Sequence, residues 1–402
     1  MKYIIILGDG MADEPIASLG NKTCLQAANK PNIDKIAALG NSGLLDTIPA
    51  GFAPGSEIAN LSVLGYDLNK VFEGRGSLEA ASMGVIIESG EMAMRCNLIC
   101  IENNKIKNHS AGHISNEEAT ELILFLQKEL GNEVINFFPG VSYRHLLKVK
   151  GGNKNLICTP PHDVPGTLFS EVMIQVETPE AQKTADLLNH LILRSQTLLE
   201  NHPVNLKRAA AGKDKANSIW PWSPGYKPEM KTLLETYNLK SGAVISAVDL
   251  IKGIGVYAGL KVIEVEGATG LYNTNYEGKA QAAIDALREN DFVYLHIEAS
   301  DEAGHEGDVE LKIQTIEYLD SRVVKPIFDE VSTWNEPVTI AILPDHPTPC
   351  VYKTHTNSPV PFIIFNPTEK PDNVTIYDEF AAEKGSYGLL KGDEFMKELI
   401  NH

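Results

Sequence analysis

The sequence predicts an α/β protein, a mostly parallel sheet flanked by helices with a smaller α/β domain inserted into it. Three observations carry that prediction. Uninterrupted apolar runs of strand length occur at both ends of the chain, as expected of strands buried on both faces. Stretches with apolar residues at three- and four-residue spacing lie between them. Acidic and imidazole side chains follow directly after the runs, where ligands bind in open α/β sheets.

The first run, Tyr3 to Leu7, stops at the turn Gly8-Asp9-Gly10. Phe292 to Ile297 follows the polar Glu289-Asn290-Asp291. Val338 to Leu343 runs into Pro344-Asp345-His346, and Pro361 to Phe365 comes after His355. The spacing over Leu311–Val331 is a helical pattern. Strands alternating with helices imply right-handed crossovers and hence parallel neighbours. From about Met94 to Leu199 such strand endings thin out. The expected division is a discontinuous catalytic domain, 1–92 with 200–402, and an inserted substrate-binding or lid domain, 93–199. Residues 212–230, rich in Lys, Trp and Pro, read as a covering loop.

At 402 residues two domains are the natural expectation, and 43% hydrophobic with 22% charged residues is globular composition. A net charge of −18 argues against nucleic acid as a partner. The five cysteines form neither a CxxC pair nor a disulfide framework, which fits a reducing compartment. The apolar start is too short for a signal peptide, and no stretch approaches the ~20 apolar residues of a membrane span. The expectation is a cytoplasmic protein without a membrane or nucleic-acid partner; the sequence leaves its oligomeric state open.

Asp9 in a glycine turn is weak by itself, since such an Asp often only caps a turn. Asp301-x-x-x-His305 is stronger, because i, i+4 spacing places both side chains on one helix face within reach of one ion. Asp345 and His346 are adjacent and reach one site only if the chain turns, which Pro344 and Pro347 favour. His355 follows nine positions after His346. Mixed carboxylate and imidazole ligands suit Mn²⁺ or Zn²⁺, with Mg²⁺ a third option. Ser56, after Pro54-Gly55 and before helically spaced Ile58, Leu61 and Leu64, places a hydroxyl at a helix start. There it is either a cap or a nucleophile in a field that favours anions. Together these residues point to metal-dependent phosphoryl transfer.

The stretches ILGDGMAD, PGSEIANLSVLGYD, GRGSLEAASMG, MRCNL, TPPHD, KGIGVYAGLKVIEVEGATG, EASDEAGHEGD, LPDHPTPC and HTNSPVPF occur in this order along nearly the whole chain. Through them the sequence resembles the archaeal-type, 2,3-bisphosphoglycerate-independent phosphoglycerate mutases of the alkaline phosphatase superfamily. The resemblance implies an alkaline-phosphatase-like core and two divalent metal ions. Asp9, Ser56, Asp345 and His346 would hold one ion, and Asp301, His305 and His355 the other. It implies no requirement for 2,3-bisphosphoglycerate, a small phosphorylated metabolite as substrate, and a serine phosphorylated in turnover.

The sequence departs from this family where substrate is recognised. Asn108-His109-Ser110-Ala111-Gly112-His113 stands where the family has DRRAGR, and Trp220-Pro221-Trp222-Ser223-Pro224-Gly225 where it has an RGAG-like stretch. Arginine forks are the usual device for carboxylate and phosphate. Arg75, Arg95, Arg144, His162, Asp163 and Lys252 remain as candidate substrate contacts. The lost arginines leave an alternative open, a homoserine kinase-like branch of the family, and beyond it a phosphatase.

Overall fold

The computed structural model describes residues 1–400. The chain divides into two compact units, residues 1–72 with 229–402 and residues 73–228. In chain order the strands are β1 (Lys2–Gly8), β2 (Asn41–Asp46), β3 (Glu91–Glu102), β4 (Lys105–Asn108), β5 (Ile135–Phe138), β6 (Arg144–Lys150), β7 (Leu156–Ile157) and β8 (Gln175–Val176). They continue as β9 (Ser218–Gly225), β10 (Gly242–Ile245), β11 (Lys261–Val262), β12 (Phe292–Ile297), β13 (Val338–Leu343), β14 (Val360–Phe365) and β15 (Gly388–Lys391).

The first unit holds an eight-stranded sheet in the order β11-β10-β12-β1-β13-β14-β2-β15. Every pairing is parallel except those of β14, which runs against both β13 and β2. β1 lies between β12 and β13, with Leu7 opposite His296 on one side and Leu343 on the other. That register brings the ends of the three strands level, so the loops after Gly8, Ile297 and Leu343 leave from one edge. Ile4, Ile6, Val293, Leu295, Ile340 and Ile342 fill the core beneath helices such as Pro31–Leu39 and Tyr276–Glu289. The helical pattern over Leu311–Val331 is helix in three segments, Val309–Tyr318, a π-helical Leu319–Val324 and Lys325–Val331. Pro326 explains the break: it lacks the N–H that a regular turn would donate and crowds the preceding turn, and a wider turn relieves both.

The second unit is a five-stranded antiparallel arrangement in which β3 pairs with β4, β6 and β9, and β6 with β5. The helices Asn116–Leu130 and Gln182–Leu199 pack against it over a core that includes Leu122, Leu126, Leu147, Leu188 and Ile192. Residues 218–225 are therefore a strand and not a covering loop. Trp220 and Trp222 are buried, and Pro221 and Pro224 are tolerated because β9 pairs on one side only, with β3. The same pairing, with helix Arg75–Ser82 packing on β3, explains why this unit spans 73–228 and is wider than the expected 93–199. No helix among the described residues is long and apolar enough to cross a membrane.

Candidate metal centre

The loop after β1 carries Asp9, which is buried and whose main-chain N–H donates to Ile297 O at 2.8 Å. Gly10 is required next to it. Its φ is +61°, and a Cβ there would lie 2.6 Å from Asp301 Oδ1 and from Thr348 Oγ1. The loop after β13 carries Asp345 and His346, both fully buried. Asp345 Oδ1 accepts the N–H groups of Gly10 (3.1 Å) and His346 (2.9 Å), and this turn is what sends both adjacent side chains into one site.

Helix Ala299–Glu306 begins just past β12 and presents Asp301 in its first turn and His305 one turn later, 3.3 Å apart. His355 approaches from the loop before β14, with its Nε2 2.9 Å from His305 Nε2 and 3.4 Å from Asp301 Oδ1. Ser56 opens helix Ser56–Val63, and its Oγ lies 3.2 Å from His346 Nε2. His346 Nε2 is also 3.6 Å from Asp9 Oδ1 and 3.5 Å from Asp345 Oδ2. The structure thus gathers Asp9, Ser56, Asp301, His305, Asp345, His346 and His355 at one edge of the sheet. Two overlapping ligand groups converge there: Asp9, Asp345 and His346, and Asp301, His346 and His355.

The donor set fits cations. Asp9 Oδ1 is buried without a hydrogen-bond partner. The single Thr348 hydroxyl proton goes to Asp301 Oδ1 at 2.5 Å, so its oxygen accepts from His346 Nδ1 at 3.2 Å, and His346 Nε2 faces the carboxylates as a lone pair. Lys353 O, 3.1 Å from His305 Nδ1, accepts from that atom and leaves His305 Nε2 facing the Asp301 carboxylate. Burial, then the charges of Asp345, Asp301 and Glu298, push the Asp9 carboxyl well above its usual range. Burial also opposes the charge of Asp301, but hydrogen bonds from His305 and His355 hold its carboxyl well below the usual range. The same contact with Asp301 raises His305 to about 9. Carboxylates crowded together with imidazoles in a buried site are the electrostatic signature of a place for divalent cations.

Sequence reasoning missed the residues behind these ligands. Asn60 donates to Asp345 Oδ2 at 2.8 Å and to Ser56 O at 2.8 Å, and it accepts the Tyr294 hydroxyl at 2.5 Å. His296 Nε2 is 2.9 Å from Asp9 Oδ2. The strand-like run around Tyr294 and His296 was legible, but a polar side chain at every second position of it is the only signal that could have marked them.

The candidate substrate contacts divide. In the second unit Arg95 pairs with Glu79 at 3.0 Å, donates to Asn97 Oδ1 at 3.3 Å and lies over the Trp222 ring at 5.0 Å. His162 sits edge-on to Trp222 and to His109, and 3.5 Å from Asp163. Arg144 stacks on Tyr143, which also meets His109. Arg75 opens helix Arg75–Ser82, and its charge reaches both Arg95 and His162. Burial, with neighbouring positive charge, lowers the pKa of both His109 and His162. Lys252 belongs to the first unit, where it pairs with Glu264 at 2.8 Å.

Fold and site together define a discontinuous α/β protein with a carboxylate–imidazole centre beside a helix-start serine. The chain belongs to the 2,3-bisphosphoglycerate-independent phosphoglycerate mutase family. The profile of that family matches residues 37–205. A 2,3-bisphosphoglycerate-independent phosphoglycerate mutase from Methanosarcina mazei is 52% identical, with all of both chains covered. A Pyrococcus horikoshii protein of known structure superposes with a TM-score of 0.84 at 32% identity, covering all of this chain and 96% of its own. The cofactor-independent phosphoglycerate mutase of Thermoplasma acidophilum gives 0.69 at 27% identity, covering all of this chain and 99% of its own. None of these relatives favours the homoserine kinase alternative.

Proposed function

We propose that this chain interconverts 2-phosphoglycerate and 3-phosphoglycerate without 2,3-bisphosphoglycerate, through a phosphoserine at Ser56 and with two divalent cations, Mn²⁺ or Zn²⁺. The observation that carries the reading is the Ser56 hydroxyl, 3.2 Å from His346 Nε2 at the rim of the ligand set. Asp9, Asp345, His346 and Ser56 would hold one ion, and Asp301, His305 and His355 the other. Such ions supply charge neutralisation at the phosphoryl oxygens and a lowered pKa for a bound hydroxyl.

The protein's own groups do the rest. Ser56 Oγ forms a bond to phosphorus as the bond to one glycerate oxygen breaks, and that oxygen takes up the proton the serine gave up. Return of the phosphoryl group to the other glycerate oxygen reverses each step, so nothing is consumed. The helix Ser56–Val63 directs its N-terminal N–H groups toward the charge that builds up there. We propose further that the unit 73–228 is the substrate-binding lid, with Arg95, Arg144, Arg75, His162 and Asp163 holding the glycerate and excluding water; Lys252 would contribute from the first unit.

Phosphorus NMR of 3-phosphoglycerate incubated with Mn²⁺-loaded protein tests this, with no bisphosphoglycerate added. The 2-phosphoglycerate resonance should grow, and Ser56→Ala should abolish it while circular dichroism stays native. Turnover only of homoserine with ATP, or full activity in Ser56→Ala, would overturn the proposal.

A further inference from the structure

We propose that Ser246 and His296 form a positioning relay that fixes which oxygen of Asp9 faces the metal centre. This rests on the reading of Asp9 as a metal ligand and adds to it two residues that touch neither ion nor substrate. Ser246 directly follows β10, and His296 is in β12, the next strand of the sheet. All three side chains are buried, Ser246 3% exposed, His296 0% and Asp9 2%.

The proton positions follow from counting donors. Ser246 Oγ accepts the Val248 N–H at 3.0 Å and lies 3.1 Å from His296 Nδ1. His296 Nε2 lies 2.9 Å from Asp9 Oδ2, an oxygen that only accepts while the carboxylate is ionised. If Nδ1 carried the only ring proton, the Nε2 lone pair would oppose the Asp9 carboxylate in a buried site. With Asp9 ionised, as a ligand of a cation must be, the arrangement that satisfies every atom has Ser246 O–H donating to Nδ1 and Nε2–H donating to Oδ2. The chain Val248 N–H, Ser246, His296, Asp9 thus runs in one direction. It occupies Oδ2 and leaves Oδ1, the atom without a hydrogen-bond partner, as the one turned toward His346 Nε2 at 3.6 Å.

The same strand repeats the device. Tyr294, two residues earlier on the same face of β12, donates to Asn60, which in turn donates to Asp345 Oδ2. A strand that is otherwise wholly apolar, Phe292-Val293-Leu295-Ile297, therefore spends both its polar positions behind the two carboxylates that flank His346. A neutral ring is the right choice for this role, since it orients a carboxylate without cancelling the charge a cation requires.

Mn²⁺ binding to the full chain, read from the electron paramagnetic resonance of the free ion after stripping with chelator, tests the relay without recourse to activity. His296→Leu should weaken binding of one ion by about 10- to 100-fold, the range for loss of a partner behind a metal ligand. His296→Gln, which keeps an N–H to offer Oδ2, should recover most of that loss. Ser246→Ala should weaken binding by about 10-fold at a temperature where the metal-free variant is still fully folded by circular dichroism. Wild-type affinity in both Ser246→Ala and His296→Leu overturns the relay, as does a Gln variant as weak as Leu. If His296→Leu fails to fold, Ser246→Ala and His296→Gln decide alone. Asp9→Ala separates the two levels: if it keeps wild-type affinity for both ions, the assignment of Asp9 as a ligand falls. If it loses an ion while Ser246→Ala does not, the relay alone falls.

Discussion

Lys312 is the cation that ties together the two loops on which Asp9 and His346 are carried. Its side chain is 0% exposed, and its ammonium donates to Asp13 Oδ2 at 2.9 Å, Ala12 O at 3.0 Å and Thr348 O at 2.8 Å. All three donors are used, and the Asp13 carboxylate is as buried as the ammonium. Lys312→Met keeps the side-chain length but leaves Asp13 with only the N–H of Cys350 at 3.2 Å, the N–H of Glu14 at 2.8 Å and the Cys24 thiol. Breaking one side of such a buried pair costs about 3–5 kcal/mol. For a unit of this size that lowers the melting temperature by roughly 6–20 °C, at 2–4 °C per kcal/mol. The double variant Asp13→Asn/Lys312→Met removes the stranded charge and should recover most of the loss, because an apolar replacement of a buried pair is often neutral. Urea denaturation of the metal-free protein, followed by far-ultraviolet circular dichroism, measures both. A loss under about 1 kcal/mol for Lys312→Met, the scale of an exposed pair, would refute the claim that this ammonium holds the loops. So would a double variant less stable than the single one.

Three further outcomes follow from other parts of the molecule. Burial lowers the His145 pKa to about 3, so between roughly pH 6.5 and 3 only the unfolded chain takes up its proton, and stability is lost as pH falls through that window. From pH 7 to pH 5 this one group contributes about 2 kcal/mol of the loss; His145→Asn should flatten the urea-measured pH slope by that amount, and an unchanged slope would contradict it. Gly10→Ala forces a left-handed φ on a residue with a Cβ and a 2.6 Å collision with Asp301 Oδ1. It should lose more than about 1–2 kcal/mol, the cost of the left-handed conformation alone, and should bind Mn²⁺ more weakly by equilibrium dialysis. Stripping the metal ions should raise the melting temperature of no variant and lower that of wild type, since a ligand of the folded state alone stabilises it by mass action; a wild-type melt indifferent to chelator would count against a metal centre.

Much of the architecture could be read because a buried parallel strand leaves a plain mark, an apolar run ended by a polar turn. Tyr3–Leu7, Phe292–Ile297 and Val338–Leu343 are three such runs, and the residues that follow them converge in the structure. The run at Pro361–Phe365 was equally visible, but apolarity carries no direction, and β14 proves antiparallel. Trp220 to Gly225 deceived for a related reason: prolines argue against a central strand, and nothing local tells that β9 needs hydrogen bonds on one side only. Asp301 and His305 were legible because one helix sets their distance. Asn60, Tyr294, His296 and Thr348 were not, since their partners lie far along the chain and only the sheet brings them near.

The place of β1 in the middle of the sheet also bears on how the chain is made. Asp9 and its partner His296 are 287 residues apart. At 5–20 residues per second, synthesis takes roughly 15–60 s to pass from one to the other. During that time Ile4, Ile5, Ile6 and Leu7 have emerged from the ribosome with neither flanking strand yet made. The unit 73–228, by contrast, is one contiguous stretch whose strands are all translated before β12 exists. The nascent chain must therefore keep an unpaired, wholly apolar strand from sticking to its neighbours. Chaperone dependence during synthesis, more than stability afterwards, is where substitutions in Tyr3–Leu7 should first be felt.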